Sequence, residues 1–583
     1  MGKLSRKRAR KGSRTQVKKK AGGKWLVALA SRPAWSYLGI LALQLKVIWG
    51  MWWYKDLTGG DTSSYFSRAV GWTQEGKTSF WWSPLYIGFY SLGLRLTPDA
   101  YTVTIIHRIV ILLLLAVLVL ALMRRLLSPG TAWMMAAWWV VLPIDFNSLY
   151  EVHLFTLIPL LLAVLVTAWK PGAYGRGMSV ALFLITGVLV RQEYMAAAAL
   201  MAVIALGWDG AQTVKRRLKL RVLTAAYGLP LMGAVLVMWF FLAHNWVPTL
   251  SGLAEEARAK NSFNTCQLFA FDYQQRASDF QGNPWTNCRA LMTRFFGSPE
   301  VTTLEATRRN PRVMAGHFLW NILEAPAGIQ IALFNARWGG ANPDYTPSFV
   351  SALVWIPTAM VIGLLAAGIF LARRSGGPRG ELSEGQRWSW IGLLCVSAAA
   401  ITTILLANAR PATLLILAIA IRAATGFSLQ MILKRWPRVV PWSVAVSVMA
   451  VGAVCVYPSL YERERSSRPL LQAYRRLEPA RKMFAERGST LVTAQFGGEL
   501  KSFVGYGAGR ALPLHEVEEE ARAGHPFGEV LNRRGATLFL ADEQAIGDRA
   551  VREFLADPGA YHWTVVSQKH TGSENWILLH RAQ

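Results

Sequence analysis

The chain has 583 residues, 53% of them hydrophobic and only 17% charged, with 25 Trp and a mean hydropathy of +0.26. That composition excludes an ordinary soluble enzyme and reads as an integral membrane protein. The net charge of +29 would suit a nucleic-acid partner, yet Lys and Arg gather in the N-terminal run KLSRKRARKGSRTQVKKK and in short loops between apolar segments. This is the positive-inside pattern, and it argues against nucleic acid.

Residues 1–25 are expected to form a basic cytoplasmic tail beside anionic membrane lipids. No small-residue cleavage site follows the first apolar segment, so it is expected to be retained as a helix. A spanning helix needs about 20 apolar residues, and eleven windows qualify: about 34–54, 102–123, 131–144, 152–169, 178–190, 194–208, 222–243, 348–372, 388–408, 411–433 and 440–458. Alternate connections carry Arg124 and Arg125, Lys170 and Arg176, KRRLKLR at 215–221, Arg373 and Arg374, and Lys434, Arg435 and Arg438. Those loops are assigned to the cytoplasm with the N-terminus. The expected membrane domain is 26–460, with outer loops at 55–101 and 244–347.

Cys266 and Cys288 fall in the larger outer loop; a disulfide and two free thiols are both open readings there. Cys395 and Cys455 lie in expected helices as packing residues. From 461 the chain turns polar: STLVTAQF and ATLFLADE read as buried strands, VREFLAD as a helix end, HWTVVSQ and NWILLHR as a terminal strand pair. Residues 461–583 are therefore expected to form a small soluble α/β domain outside the cytoplasm. QFGGELKSFVGYG lacks both the Lys-Ser/Thr of a P-loop and the spacing of a dinucleotide fingerprint.

The segment GGDTSSYFSRA places Asp61 just beyond the first membrane window. With the Pro-Leu pair of SPLYIGFYSLGLRL, it is similar to the first outer loop of the polytopic glycosyltransferases of the GT-C superfamily, which include protein mannosyltransferases and aminoarabinose transferase-like enzymes. Asp61, Tyr65, Ala69, Pro84 and Leu85 match; Thr62 stands where many members have Glu. NPRVMAGHFLWNI, with His317, and NARPATLLILAIAI, with Arg410, resemble later segments of bacterial members. The resemblance implies a GT-C-like fold and a polyprenyl-phosphate-linked sugar as donor. It also implies an inverting transfer to an acceptor outside the cytoplasm, whether lipid, glycan or protein, and a bacterial inner membrane as the natural home.

Under that reading Asp61 is the candidate general base for the acceptor hydroxyl; a helix-capping role is equally open from the residues alone. Arg410, Arg191 and Arg108 are the candidates for the donor phosphate, since Arg is otherwise scarce at outer helix ends. Arg108 and His107 could instead snorkel to the interface. Tyr65, Trp81, Trp82 and His317 are candidate substrate contacts, an indole face suiting a sugar ring, although an interfacial Trp belt is also rich in such residues. Asp145, Glu151 and His153 form a weaker candidate set for a divalent cation: Glu151 and His153 diverge by about 200° on one helix. A flippase for lipid-linked saccharides is the alternative membrane function, though no internal repeat is visible. A non-catalytic cell-envelope scaffold is the third.

Overall fold

The computed structural model describes residues 32–142, 151–215, 219–340, 342–343, 349–374, 382–437, 449–463, 467–485, 488–506, 509–571 and 574–582. The chain divides into two compact units: Met1–Trp49, Val110–Leu242 and Val247–Leu460 make one, and Gly50–Ile109, Ala243–Trp246 and Tyr461–Gln583 the other.

The larger unit is helical. Eight helices of the described chain are long and apolar enough to cross a membrane: Pro33–Tyr54, Ala100–Leu126, Glu151–Trp169, Gln192–Val214, Leu220–Ala243, Ala352–Arg374, Glu384–Leu406 and Pro411–Arg435. The window at 131–144 is a helix of 12 residues, Pro129–Val140, and the one at 178–190 is the 17-residue helix Ala173–Leu189. Residues 440–448 of the eleventh window, 440–458, lie outside the described residues. Helices satisfy every backbone group internally, as a hydrocarbon solvent requires. Small residues let them approach: a Cβ on Gly177 would sit 2.1 Å from the Ala226 carbonyl oxygen, and one on Gly328 would sit 2.0 Å from that of Ala409.

Two buried arginines of this unit find partners. Arg176, expected in a cytoplasmic loop, lies instead within Ala173–Leu189 and is 4% exposed. Its guanidinium donates twice to Asp209, at 2.9 and 2.6 Å, and once to Glu384 at 2.9 Å, while the Tyr227 hydroxyl donates to Asp209 at 2.8 Å. The bidentate geometry offsets the desolvation that an unpaired cation would suffer. Arg422, fully buried, donates to the carbonyls of Ala332 and Leu333 at 3.0 and 3.4 Å, and lies over Trp138 and Trp139. It caps the C-terminus of helix Pro311–Phe334, where partial negative charge collects.

Four helices of the loop at 244–347 pack on an aromatic core of Phe269, Met292 and Phe296: Leu250–Arg276, Pro284–Phe296, Thr303–Arg309 and Pro311–Phe334. Cys266 and Cys288 are disulfide-bonded across the first two. Cys395 is buried, whereas Cys455 is exposed rather than packed.

The smaller unit joins helices Asp61–Glu75 and Pro84–Leu94 to the C-terminal chain. Its five-stranded sheet runs, in space, Arg510–Pro513, Thr490–Thr493, Leu538–Ala541, Glu574–Arg581, Trp563–Thr571. The first three are parallel and the last two antiparallel, with an irregularity between Val565 and Ser567. Thr490–Thr493 and Leu538–Ala541 are buried at every position, which is why both read as apolar runs without alternation. Their core includes Val492, Phe527, Phe539, Phe554 and Trp563. Asp56 holds the start of helix Pro469–Arg476, its carboxylate accepting from the Leu470 and Leu471 amides at 3.1 and 2.8 Å.

Candidate functional site

The candidate residues divide between the two units. In the larger one, helix Glu151–Trp169 begins with Glu151, which is buried, and His153. Arg191, Arg410 and Lys260 all lie within electrostatic range of the His153 ring. Each comes from a different segment. Arg191 precedes the turn Gln192–Tyr194, with Nε 2.8 Å from the Glu193 carboxylate. Arg410 stands at the N-cap of Pro411–Arg435; its amide donates to Asn408 Oδ1 at 3.3 Å and its carbonyl accepts from the Thr413 hydroxyl at 2.8 Å. Its guanidinium lies 5.6 Å over the Trp285 ring. Lys260 comes from Leu250–Arg276. Arg191 is paired with Glu193, and Arg410 and Lys260 add two further cations within electrostatic range of the ring.

Beside this cluster runs a buried polar row. His317 Nδ1 lies 3.0 Å from Asp272 Oδ2, and both side chains are almost fully buried. Asn321 Nδ2 lies 3.4 Å from the other ring nitrogen of His317 and donates to the carbonyls of Leu405 and Ala407, at 3.3 and 3.0 Å. That ties helix Pro311–Phe334 to the end of Glu384–Leu406. Burial pushes the Asp272 carboxyl up, against the pull of His317, Arg276 and Arg410. Glu324, farther along the same helix, is pushed up to about 8 by burial first and by the like charge of Asp272 second. His317 is therefore packed in this row beside Asp272.

In the smaller unit Gly60, at φ 62°, takes the N-cap position and Asp61 is the first residue of the helix. Asp61 is exposed, and no side-chain cap bond forms at this helix start. Its carboxylate faces outward at the positive end of the helix, where a negative charge is favoured. A Cβ added to Gly59 would lie 2.5 Å from Glu499 Cγ, so the Glu499 side chain would have to move. Tyr65 is buried, 3.3 Å from the Ser83 hydroxyl and edge-on to Trp82 and Tyr86. Trp81 and Trp82 sit half-buried in the short turn Phe80–Trp82. Arg108 and His107 are both buried, so neither snorkels; His107 stacks on Tyr90 at 4.1 Å.

Asp145 lies outside the described residues. Among the described residues no group of three or more His, Cys, Asp or Glu could hold a metal ion. His153 lies within electrostatic range of Arg191, Arg410 and Lys260.

Lys260, Asp272, Arg276 and Glu324 were not singled out from sequence. Asp272, in FAFDYQQR, carries the one signal available, an acid inside an aromatic run.

The chain is thus a polytopic, mainly helical integral membrane protein with a small mixed sheet at its C-terminus. No family model matches it, and no curated protein does. Among solved structures it is similar to the oligosaccharyltransferase AglB from Archaeoglobus fulgidus, described in complex with an inhibitory peptide and a dolichol-phosphate. The identity is 12% and the TM-score 0.42, with 87% of this chain and 69% of that one covered. It is also similar to ArnT from Cupriavidus metallidurans bound to undecaprenyl phosphate, at 12% identity and a TM-score of 0.34 over 96% of this chain and 98% of that one. Both neighbours are GT-C glycosyltransferases, the superfamily that the Asp61 segment resembles. Likeness at these scores does not fix an activity.

Proposed function

We propose that this protein is an inverting glycosyltransferase that moves a sugar from a polyprenyl-phosphate donor to an acceptor hydroxyl outside the cytoplasm. The observation that carries the proposal is that Arg191 and Arg410, at the ends of apolar helices, and Lys260, from Leu250–Arg276, lie within electrostatic range of His153. A lipid phosphate, whose chain stays in the bilayer, is the anion such a place would receive. In the reaction the acceptor oxygen attacks the anomeric carbon while the bond from that carbon to the phosphate oxygen breaks. The electron pair leaves with the polyprenyl phosphate, whose growing charge the two arginines and Lys260 compensate. The hydroxyl proton passes to a carboxylate base, the role that the sequence resemblance gives to Asp61. Trp81 and Trp82, half-buried in the smaller unit, are the candidates for ring-face contact with a sugar.

Removing one charge-assisted contact to the phosphate costs about 1.5–3 kcal/mol, roughly ten- to a hundredfold in donor affinity. Arg410→Ala and Arg191→Ala should each raise the donor KM by that factor, and added polyprenyl phosphate should compete with donor. Unchanged KM in both variants, at equal expression and melting temperature, would remove the phosphate role from this cluster.

A further inference from the structure

The parallel part of the C-terminal sheet contains a topological switch. From Thr490–Thr493 the chain passes to Arg510–Pro513 on one side, then crosses back to Leu538–Ala541 on the other. Connections that part in this way leave a crevice outside the carboxyl ends of the two central strands, where open parallel sheets hold their ligands. A cavity of about 230 Å3 lies at that place, inside the smaller unit. Thr493, Gln495 and Phe496 line it from the end of one strand, and Asp542, Glu543 and Gln544 from the end of the other. Gln472 and Arg476 reach it from helix Pro469–Arg476.

The lining selects against an anion. Its cation, Arg476, pairs with Glu543 at 3.3 Å, and Asp542 adds a second carboxylate. What the crevice offers is hydrogen bonding of both kinds. A carboxamide carries two N–H donors and an acceptor oxygen, and a carboxylate two acceptor oxygens. Gln495 uses one donor on the Gln544 oxygen at 3.1 Å, a bond that ties together the loops after the two strands. Gln472 uses one on the Ser467 carbonyl at 2.8 Å. Asp542 Oδ1 accepts from the Ala545 amide and Glu543 Oε1 from the Asn575 amide, both at 3.0 Å. Each of these side chains has a second polar atom beyond the one so used. A hydroxyl donates and accepts at once, so adjacent hydroxyls of a sugar match such paired atoms. Phe496 supplies an apolar ring suited to the C–H face of a pyranose. It holds a left-handed backbone, φ 58°, which a bulky residue adopts only where its surroundings impose it; such outliers gather at ligand clamps.

We infer that this crevice at the switch point binds an uncharged sugar ring. Its volume lies just under the range of about 300–1,000 Å3 typical of sites for larger small molecules, which suits a single ring. The inference stands apart from the transferase proposal, because binding is read without turnover.

The test uses the full-length protein in a detergent without a sugar headgroup, and saturation-transfer NMR with glucose, galactose, mannose and N-acetylglucosamine. At least one of them should bind with a Kd below about 10 mM. The 1-phosphate of that sugar should bind at least about tenfold more weakly beside Asp542 and Glu543. Gln472→Ala and Gln544→Ala, both at exposed positions, should each weaken binding about three- to tenfold at an unchanged melting temperature. Phe496→Asn, which tolerates the left-handed backbone, should weaken it about tenfold through loss of the ring. Absence of binding by all of the sugars at about 50 mM would overturn the inference. So would tighter binding of the 1-phosphate, or binding that all three variants leave unchanged.

Discussion

Glu324 shows how a single carboxyl can report on its surroundings. Burial and the nearby Asp272 raise it from 4.5 to about 8, with Arg276 opposing. Between those values the folded state holds a proton that the unfolded state has released, so stability falls as pH rises from about 4.5 to about 8 and is level above. Glu324→Gln removes that loss. Thermal melting in detergent should show the variant equal to wild type near pH 4 and more stable than it near pH 9; parallel curves would contradict the assignment. Asp61 was legible because an acid stands out beside a membrane window. Lys260 and Asp272 were not, since a charge in a polar helix gives no sign that Arg410, over a hundred residues later, will lie near it. Arg422 stands in the apolar run of Pro411–Arg435, but its partners are backbone carbonyls, which leave no trace in side-chain composition.

Among the elements, the long apolar helices were readable because their length is set by the solvent they cross. The C-terminal strands Thr490–Thr493 and Leu538–Ala541 and the terminal pair were readable from apolar runs. Arg510–Pro513 was not: its sequence is RALP, it lies at the edge of the sheet, and its order depends on the partner strand. The disulfide between Cys266 and Cys288, 22 residues apart, closes a loop around the core of Phe269 and Met292. A loop of that size corresponds to about 3 kcal/mol of stabilisation in the chain-entropy view. Cys266→Ser with Cys288→Ser should therefore lower the unfolding midpoint, and reductant should do the same to wild type and nothing to the double variant.

At the scale of the whole molecule, the smaller unit assembles Gly50–Ile109 and Tyr461–Gln583 from the two ends of the chain, which linear reading could not anticipate because it treats 461–583 as a separate block. The most direct measurement is sugar transfer from polyprenyl-phosphate donors by wild type and Asp61→Asn. Asp61 opens its helix without a capping bond, so the variant should fold normally. A general base contributes about 10²- to 10⁴-fold, and that loss should fall on kcat at an unchanged donor KM. Transfer by Asp61→Asn at the wild-type rate would contradict the account.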